Sequence, residues 1–461
     1  MAVVKPDGPA LNVVLIATYE LGRQPFGIAS PAAWLKENGV NVTVADVSLQ
    51  PFPETSVRQA DLVAFHLPMH TATRLAIPLA ERSRVLNPGA HLCFYGLYAP
   101  MNQGYLQEIG DCTILGGEFE RGLSDLCERI GSDISTSPAP SPISLARQDF
   151  LTPDRSGLPE LTEYAELQVD RLTRKTVGYT EATRGCKHVC RHCPVVPVYK
   201  GKFRVVQREV VLQDIRNQVE NGAKHITFGD PDFFNGIGHS ISLVERFHEE
   251  FPDLTYDVTI KVEHLLKHSD HLSTLEKTGC LIVTSAIESV DNYVLEQMDK
   301  GHTRSDFATV TNLLCNHGLT LNPTFIPFTP WTTLERYLDH LKVIQELDLI
   351  EHTSPVQHSI RLLIPEGSLL LEMVEIKEII GRFDRAGLVY PWTNVDPRVD
   401  NLQQDITDLV TSQQDAGRSH SEIFDELWEI AHSAAGQVAP SLPEPVQGIA
   451  TVPYLNEPWY C

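Results

Sequence analysis

The sequence predicts two α/β units in series: a doubly wound parallel sheet, then a partial parallel (β/α)6 barrel, followed by a helical and extended C-terminal tail. Three observations carry this. Five short apolar runs alternate with helix-like stretches over residues 1–130. A proline- and serine-rich break follows, and near residue 176 the alternation restarts and runs through six more strand–helix units. At 461 residues the chain also exceeds one typical core, so two or three domains are expected.

The first five runs are 12–18, 41–47, 62–67, 91–97 and 112–115, with helices expected at 73–86 and 120–130. Unbroken apolar runs of this length suit parallel strands buried on both faces. Residues 131–175 read as a linker, with Pro138, Pro140 and Pro142 among serines and little periodicity. The barrel is assigned to 176–380, with strands at 176–180, 225–228, 254–261, 280–287, 319–325 and 358–363 and a helix at 208–221. Leu334, Leu338, Leu341, Ile344 and Leu347 recur at helical spacing, a stripe that must face the sheet. Residues 381–461 form the tail, with a helix at 419–435 capped by Ser419 or Ser421. Pro440, Pro443, Pro445, Pro453 and Pro458 then mark an extended end.

Composition excludes several classes. With 37 basic against 60 acidic residues the net charge is −23, which repels polynucleotide phosphates and disfavours a nucleic-acid substrate. Arg171, Arg174, Lys175, Lys200, Lys202 and Arg204 flank residues 186–193 but read as solvated surface charge. No apolar run reaches the ~18 residues of a membrane span. The N-terminus lacks the order of a secretory signal, so the cytoplasm is the expected compartment. Nine cysteines, an odd number, argue against a disulfide framework. Cys93, Cys112, Cys127, Cys280 and Cys315 lie in apolar segments and read as core.

The remaining motif is Cys186, Cys190 and Cys193, spaced C-x3-C-x2-C directly after the first barrel strand. Function in parallel barrels sits at the carboxyl ends of strands. Three thiolates are one short of a structural zinc site, unless His188 or His192 completes it. They can instead hold three irons of a cubane iron–sulfur cluster, leaving the fourth iron open. Ligand count favours the cluster.

This motif, at the first strand end of a partial barrel, resembles the radical SAM superfamily. The resemblance covers about residues 176–370. It implies a [4Fe-4S] cluster that binds S-adenosylmethionine at its open iron and cleaves it to a 5′-deoxyadenosyl radical. It also implies an electron donor such as flavodoxin or ferredoxin. Gly229-Asp230-Pro231-Asp232, after the second strand, is similar to an acidic motif that binds the methionine ammonium, with Asp230 slightly preferred over Asp232; a turn explains the same residues. Glu288-Ser289, followed by Met298-Asp299-Lys300-Gly301-His302, is similar to the branch shared by methylthiotransferases and cobalamin-linked enzymes. There Glu288 and Ser289 would contact the ribose or the methionine end.

The N-terminal unit resembles the cobalamin (B12)-binding, flavodoxin-like domain that precedes many such barrels. Gly116 and Gly117 would let backbone approach a corrin, although the D-x-H-x-x-G signature is absent and His66 and His70 lie elsewhere. The ending Asn456-Glu457-Pro458-Trp459-Tyr460-Cys461 resembles the CUAEP/CCAEP-tail radical SAM group, so the chain is expected to continue through a selenocysteine codon. Cys461 is then a candidate redox centre. The expected activity is hydrogen abstraction from a small-molecule or peptide substrate, leading to cobalamin-dependent C-methylation. The alternatives are methylthiotransferase-like sulfur insertion into tRNA or protein, and a non-catalytic zinc or iron–sulfur sensor.

Overall fold

The structure is a computed structural model. It describes residues 10–132, 142–170, 172–414, 418–442 and 452–456. Cys461 and the residues around it lie outside the described residues.

The first sheet is built from β1 (Asn12–Ala17), β2 (Asn41–Asp46), β3 (Leu62–His66), β4 (His91–Tyr95), β5 (Cys112–Gly117) and β6 (Ile143–Ser144). The order is β2-β1-β3-β4-β5-β6 and every pair is parallel. The first five positions give the 2-1-3-4-5 order of flavodoxin-like folds. β3 is buried along its whole length, as its unbroken run Leu-Val-Ala-Phe-His requires. Helices Phe26–Glu37 and Phe119–Gly131 cover one face through Ile28, Ala32, Leu123 and Leu126. Helix His70–Leu86 covers the other through Ala76 and Ala80.

The stretch read as linker contributes β6 and β7 (Glu166–Gln168). The second sheet continues with β8 (Arg174–Thr180). A short hairpin of β9 (Thr183–Gly185) and β10 (Phe203–Val205) stands apart from it. The sheet resumes with β11 (His225–Phe228), β12 (Thr255–Thr259), β13 (Cys280–Glu288) and β14 (Thr320–Phe325), and ends with β15 (Tyr454–Leu455). Its order is β14-β13-β12-β11-β8-β7-β15. The five strands from β8 to β14 run parallel, and β7 and β15 extend the β8 edge antiparallel. Ile226, Phe228, Tyr256, Val258, Val283, Leu321 and Phe325 pack in one core with the surrounding helices. The alternate positions face the barrel interior.

Two expectations need correction. Residues 358–363 form a single parallel bridge, Phe328 with Arg361, after the 3-10 turn Pro355–His358. Gln357 there supplies the Phe325 amide with a side-chain acceptor at 2.9 Å, which takes a donor that a sixth strand would have used. Cys315 is exposed on helix Arg304–Asn316, whereas Cys93, Cys127 and Cys280 are buried and Cys112 is half-buried. Between the two caps considered for the last helix, Ser419 caps it in a reciprocal capping box with Glu422.

Candidate functional site

Cys186, Cys190 and Cys193 occupy the loop between β9 and the short helix Val195–Tyr199. All three are free thiols. Gly185 opens the loop at φ +77°, and a Cβ there would meet the Tyr199 ring at 2.3 Å and the Lys202 carbonyl at 2.5 Å. Only glycine allows that approach. Burial pushes the Cys193 thiol up to about 12, with Cys190 and Cys186 adding to the rise. Cys186 is pushed up to about 11 by burial, with Asp232 and Cys190 contributing. The Cys193 amide donates to the Cys190 carbonyl at 3.2 Å, and Cys186 and Cys193 pack against the same cluster of Val195, Val198 and Tyr199. A bound cation would reverse that penalty, so this soft donor set fits a metal cluster.

Three neighbours fix the loop. Asn235, fully buried, accepts from the Lys187 amide at 3.0 Å and donates to the Gly185 carbonyl at 3.2 Å. The Arg191 amide donates to the Met298 carbonyl at 2.9 Å, and its guanidinium to the Gln297 carbonyl at 2.7 Å. The segment around Met298 thus serves as a clamp on the cysteine loop. His192 Nε2 lies 3.0 Å from Glu288 Oε1.

Glu288, at the end of β13, has φ +67°, a left-handed conformation that is costly for a residue with a Cβ. Lys300 Nζ donates to the same Oε1 at 3.3 Å. Burial alone would raise the carboxyl; Lys300 and then His192 bring it down to about 2. Glu288 is therefore a fixed anion, and its Oε2 has no protein partner among the described residues. Beside it, both ring nitrogens of His302 are buried without partners. Burial, then Lys300 and Lys261, lower that imidazole to about 4. Ser289 Oγ accepts from the Asp291 amide at 3.1 Å.

The two aspartates after β11 divide their work. Asp230 accepts from Thr183 Oγ1 at 2.5 Å and from the Ala182 amide at 2.9 Å, tying β11 to the turn before β9. Burial nevertheless raises its carboxyl to about 7. Asp232 Oδ1 caps Phe234 at 3.1 Å. Its Oδ2 lies 2.7 Å from His264 Nδ1 and 3.5 Å from His188 Nε2. Ligand atoms of Cys186, His188 and Asp232 all lie within 4.8 Å of one another, a mixed donor set that could also hold a metal ion.

Sequence reasoning missed Asn235, Lys261, His264 and Arg184. Arg184 Nη1 lies 2.6 Å from Glu120 and 3.4 Å from Glu118, while Nε lies 2.7 Å from Glu181. Tyr199 Oη donates to Glu118 at 3.1 Å. Burial raises Glu118 to about 7 even beside Arg184. These pairs join the strand ends of the first sheet directly to the barrel.

That direct contact bears on cobalamin. A Cβ on Gly116 would meet Pro100 at 2.4 Å, and one on Gly117 would meet the Ser144 carbonyl at 2.2 Å. The two glycines accommodate the chain's own packing. The cavity between the sheets, lined by Glu20, His66, Gly96, Gly117, Glu181 and Arg184, measures about 220 Å³. Even drug-sized ligands occupy roughly 300–1,000 Å³. His66 Nδ1 is held by Glu20 at 2.7 Å and its ring packs against Tyr95 and Phe119. As folded here, these residues do not fit a corrin. His70 is turned away, with Nε2 2.5 Å from the Gly387 carbonyl.

Part of the chain matches a known family. Residues 180–344 match the Radical SAM superfamily. A tRNA-2-methylthio-N(6)-dimethylallyladenosine synthase of Fusobacterium nucleatum is 26% identical over 199 residues, covering 39% of this chain and 43% of that protein. A hopanoid C-3 methylase of Methylococcus capsulatus is 22% identical over 292 residues, covering 60% and 56%. The chain thus spans about half the length of these curated relatives. In fold it is similar to the cobalamin-dependent S-adenosylmethionine radical enzyme OxsB with aqua-cobalamin bound (TM-score 0.67, 15% identity, 87% of this chain, 67% of that one). It is also similar to the radical S-adenosylmethionine methyltransferase TsrM from Kitasatospora setae (TM-score 0.61, 17% identity, 79% and 76%). Residues 180–344 thus match the Radical SAM superfamily, and the chain shares its two-part α/β fold with cobalamin-dependent radical S-adenosylmethionine enzymes.

Proposed function

We propose that this chain is a radical SAM enzyme acting on a small-molecule or peptide substrate, with Cys186, Cys190 and Cys193 holding a [4Fe-4S] cluster. The observation that carries it is the convergence of three free thiols on a strand-end loop inside the matched region. With S-adenosylmethionine and one electron from a flavodoxin- or ferredoxin-like donor, such a cluster supplies a 5′-deoxyadenosyl radical. The reducing cytoplasm suits free thiols.

The protein's own groups orient this chemistry. Asn235 and the Met298 carbonyl hold the cysteine loop against β11 and the segment after β13. Glu288, anionic through Lys300 and His192, offers Oε2 to a ribose hydroxyl or the methionine ammonium, with Ser289 beside it. Asp230 braces the turn from β8 into the loop, and Asp232 lies as a buried carboxylate against His188 and His264. No step is assigned to cobalamin or to Gly116 and Gly117. Hydrogen abstraction followed by sulfur insertion or rearrangement then precedes methylation as the expected outcome.

Anaerobic reconstitution with iron and sulfide, followed by reduction with S-adenosylmethionine present, tests this reading. Release of 5′-deoxyadenosine, abolished in Cys190→Ala, supports it. The Cys186, His188 and Asp232 donor set favours one competing reading, a mononuclear zinc site in a non-catalytic protein. A colourless product with one zinc and no 5′-deoxyadenosine would establish that reading instead.

A further inference from the structure

Parallel barrels ordinarily fill their interior with branched apolar side chains. This one adds a polar layer to a small apolar cluster of Leu167, Val177 and Ile282. The outward positions of β11 to β14 are mostly apolar and buried among helices, while the inward ones are mainly polar: threonine hydroxyls, the Asn322 amide, the Asp257 carboxylate and the His225 imidazole, with Ile282 packed on Val177. The lumen they line measures about 660 Å³, within the roughly 300–1,000 Å³ of small-molecule sites.

Several of these groups retain unused hydrogen-bonding capacity. The hydroxyls of Thr259 and Thr324 have no side-chain hydrogen bond to protein among the described residues. Asn322 spends Nδ2 on Thr284 Oγ1 at 3.1 Å, which leaves its carbonyl oxygen. Asp257 Oδ2 receives Thr227 Oγ1 at 2.5 Å and faces His225 Nε2 at 2.9 Å, which leaves Oδ1. An apolar guest would strip water from these groups and return nothing, whereas a guest rich in hydroxyls or amides would satisfy them.

The position suits a substrate. Leu21, Arg23 and Gly229 line both the lumen and the cavity between the sheets. That second cavity reaches Gly185, next to Cys186. On its other side the lumen is walled by β15 and the residues before it.

We propose that the lumen binds a small molecule rich in hydroxyl or amide groups, selected by Asp257, Thr259, Asn322 and Thr324. Its role as substrate rests on the radical SAM reading above; its binding does not.

Ligand-observed NMR on the reconstituted protein tests this with three polar probes (N-acetylglucosamine, myo-inositol and uridine) and one apolar probe, farnesol. At least one polar probe should bind, and farnesol should not. Thr259→Val and Thr324→Val should each weaken the polar probe by about two- to tenfold, the worth of one hydrogen bond. Thr324→Ser, which keeps the hydroxyl, should bind as the parent does. Binding of farnesol to the parent, failure of all three polar probes, or indifference to both valine changes would overturn the proposal. Iron and sulfide per chain, measured on the same samples, separate the two ideas. Their absence with sugar or nucleoside binding intact removes the radical SAM reading and leaves the lumen assignment standing.

Discussion

Arg184 Nη1 and Glu120 Oε1 lie 2.6 Å apart, so a buried ion pair joins the residue two places before Cys186 to the first turn of helix Phe119–Gly131. Glu118 and Glu181 crowd the same guanidinium. Removing one partner of a buried pair costs about 3–5 kcal/mol, because the remaining charges are left uncompensated. Arg184→Met should therefore lower the thermal midpoint strongly and expose the sheet ends to limited proteolysis. An unchanged midpoint would mean the pairs contribute nothing to docking.

The same site makes stability depend on pH. Glu118 and Asp230 are each raised to about 7 in the folded chain, from ordinary values of 4.5 and 3.8. A raised carboxyl binds its proton more tightly when folded. Its contribution is full below the unfolded value and is lost as pH rises through about 7. The thermal midpoint should thus fall between pH 5 and pH 8. Glu118→Gln should reduce that slope and raise the midpoint at pH 8 by about 2–4 °C, the shift ~1 kcal/mol gives in a domain of this size. Asp230→Asn should remove most of the remaining slope.

Glu288 is kept anionic chiefly by Lys300. A hydrogen bond to a charged group is worth about 1.5–3 kcal/mol. Lys300→Met should cut the rate of 5′-deoxyadenosine release by about 10- to 100-fold while leaving iron content unchanged. Loss of iron in this variant would instead make Lys300 a support of the cysteine loop.

The direct contact between the sheets predicts a negative result. Protein reconstituted with hydroxocobalamin and then gel-filtered should retain no cobalt above background. Stoichiometric cobalt would require the sheets to part and the Arg184 pairs to break, and would restore corrin-dependent methylation as the leading reaction.

Much of this fold was legible because its signals are local. The run at β3 reads as a strand buried on both faces, and Ser419 with Glu422 reads as a helix start. The run at 358–363 misled because apolar content alone cannot tell a strand from a turn packed under helices, and Gln357 had already taken the neighbouring amide. That the three cysteines share one short loop was legible from spacing. Asn235 and Lys261 were not, since each acts on a segment distant in sequence. Gly116 and Gly117 are instructive for the same reason. A glycine marks a close approach, but only the position of Pro100 and Ser144 says that the approaching group is protein.

The pairing of β15 with β7 sets an order on assembly. The Glu166 amide donates to the Asn456 side chain at 2.5 Å across 290 residues of sequence. During synthesis the β7 edge emerges long before its partner, and it carries free backbone donors and acceptors of the kind that recruit other chains. Contacts of such sequence separation form slowly. Among the described strands the barrel's outermost one is therefore the last to arrive, and until then the nascent protein has an open edge beside an unfinished lumen.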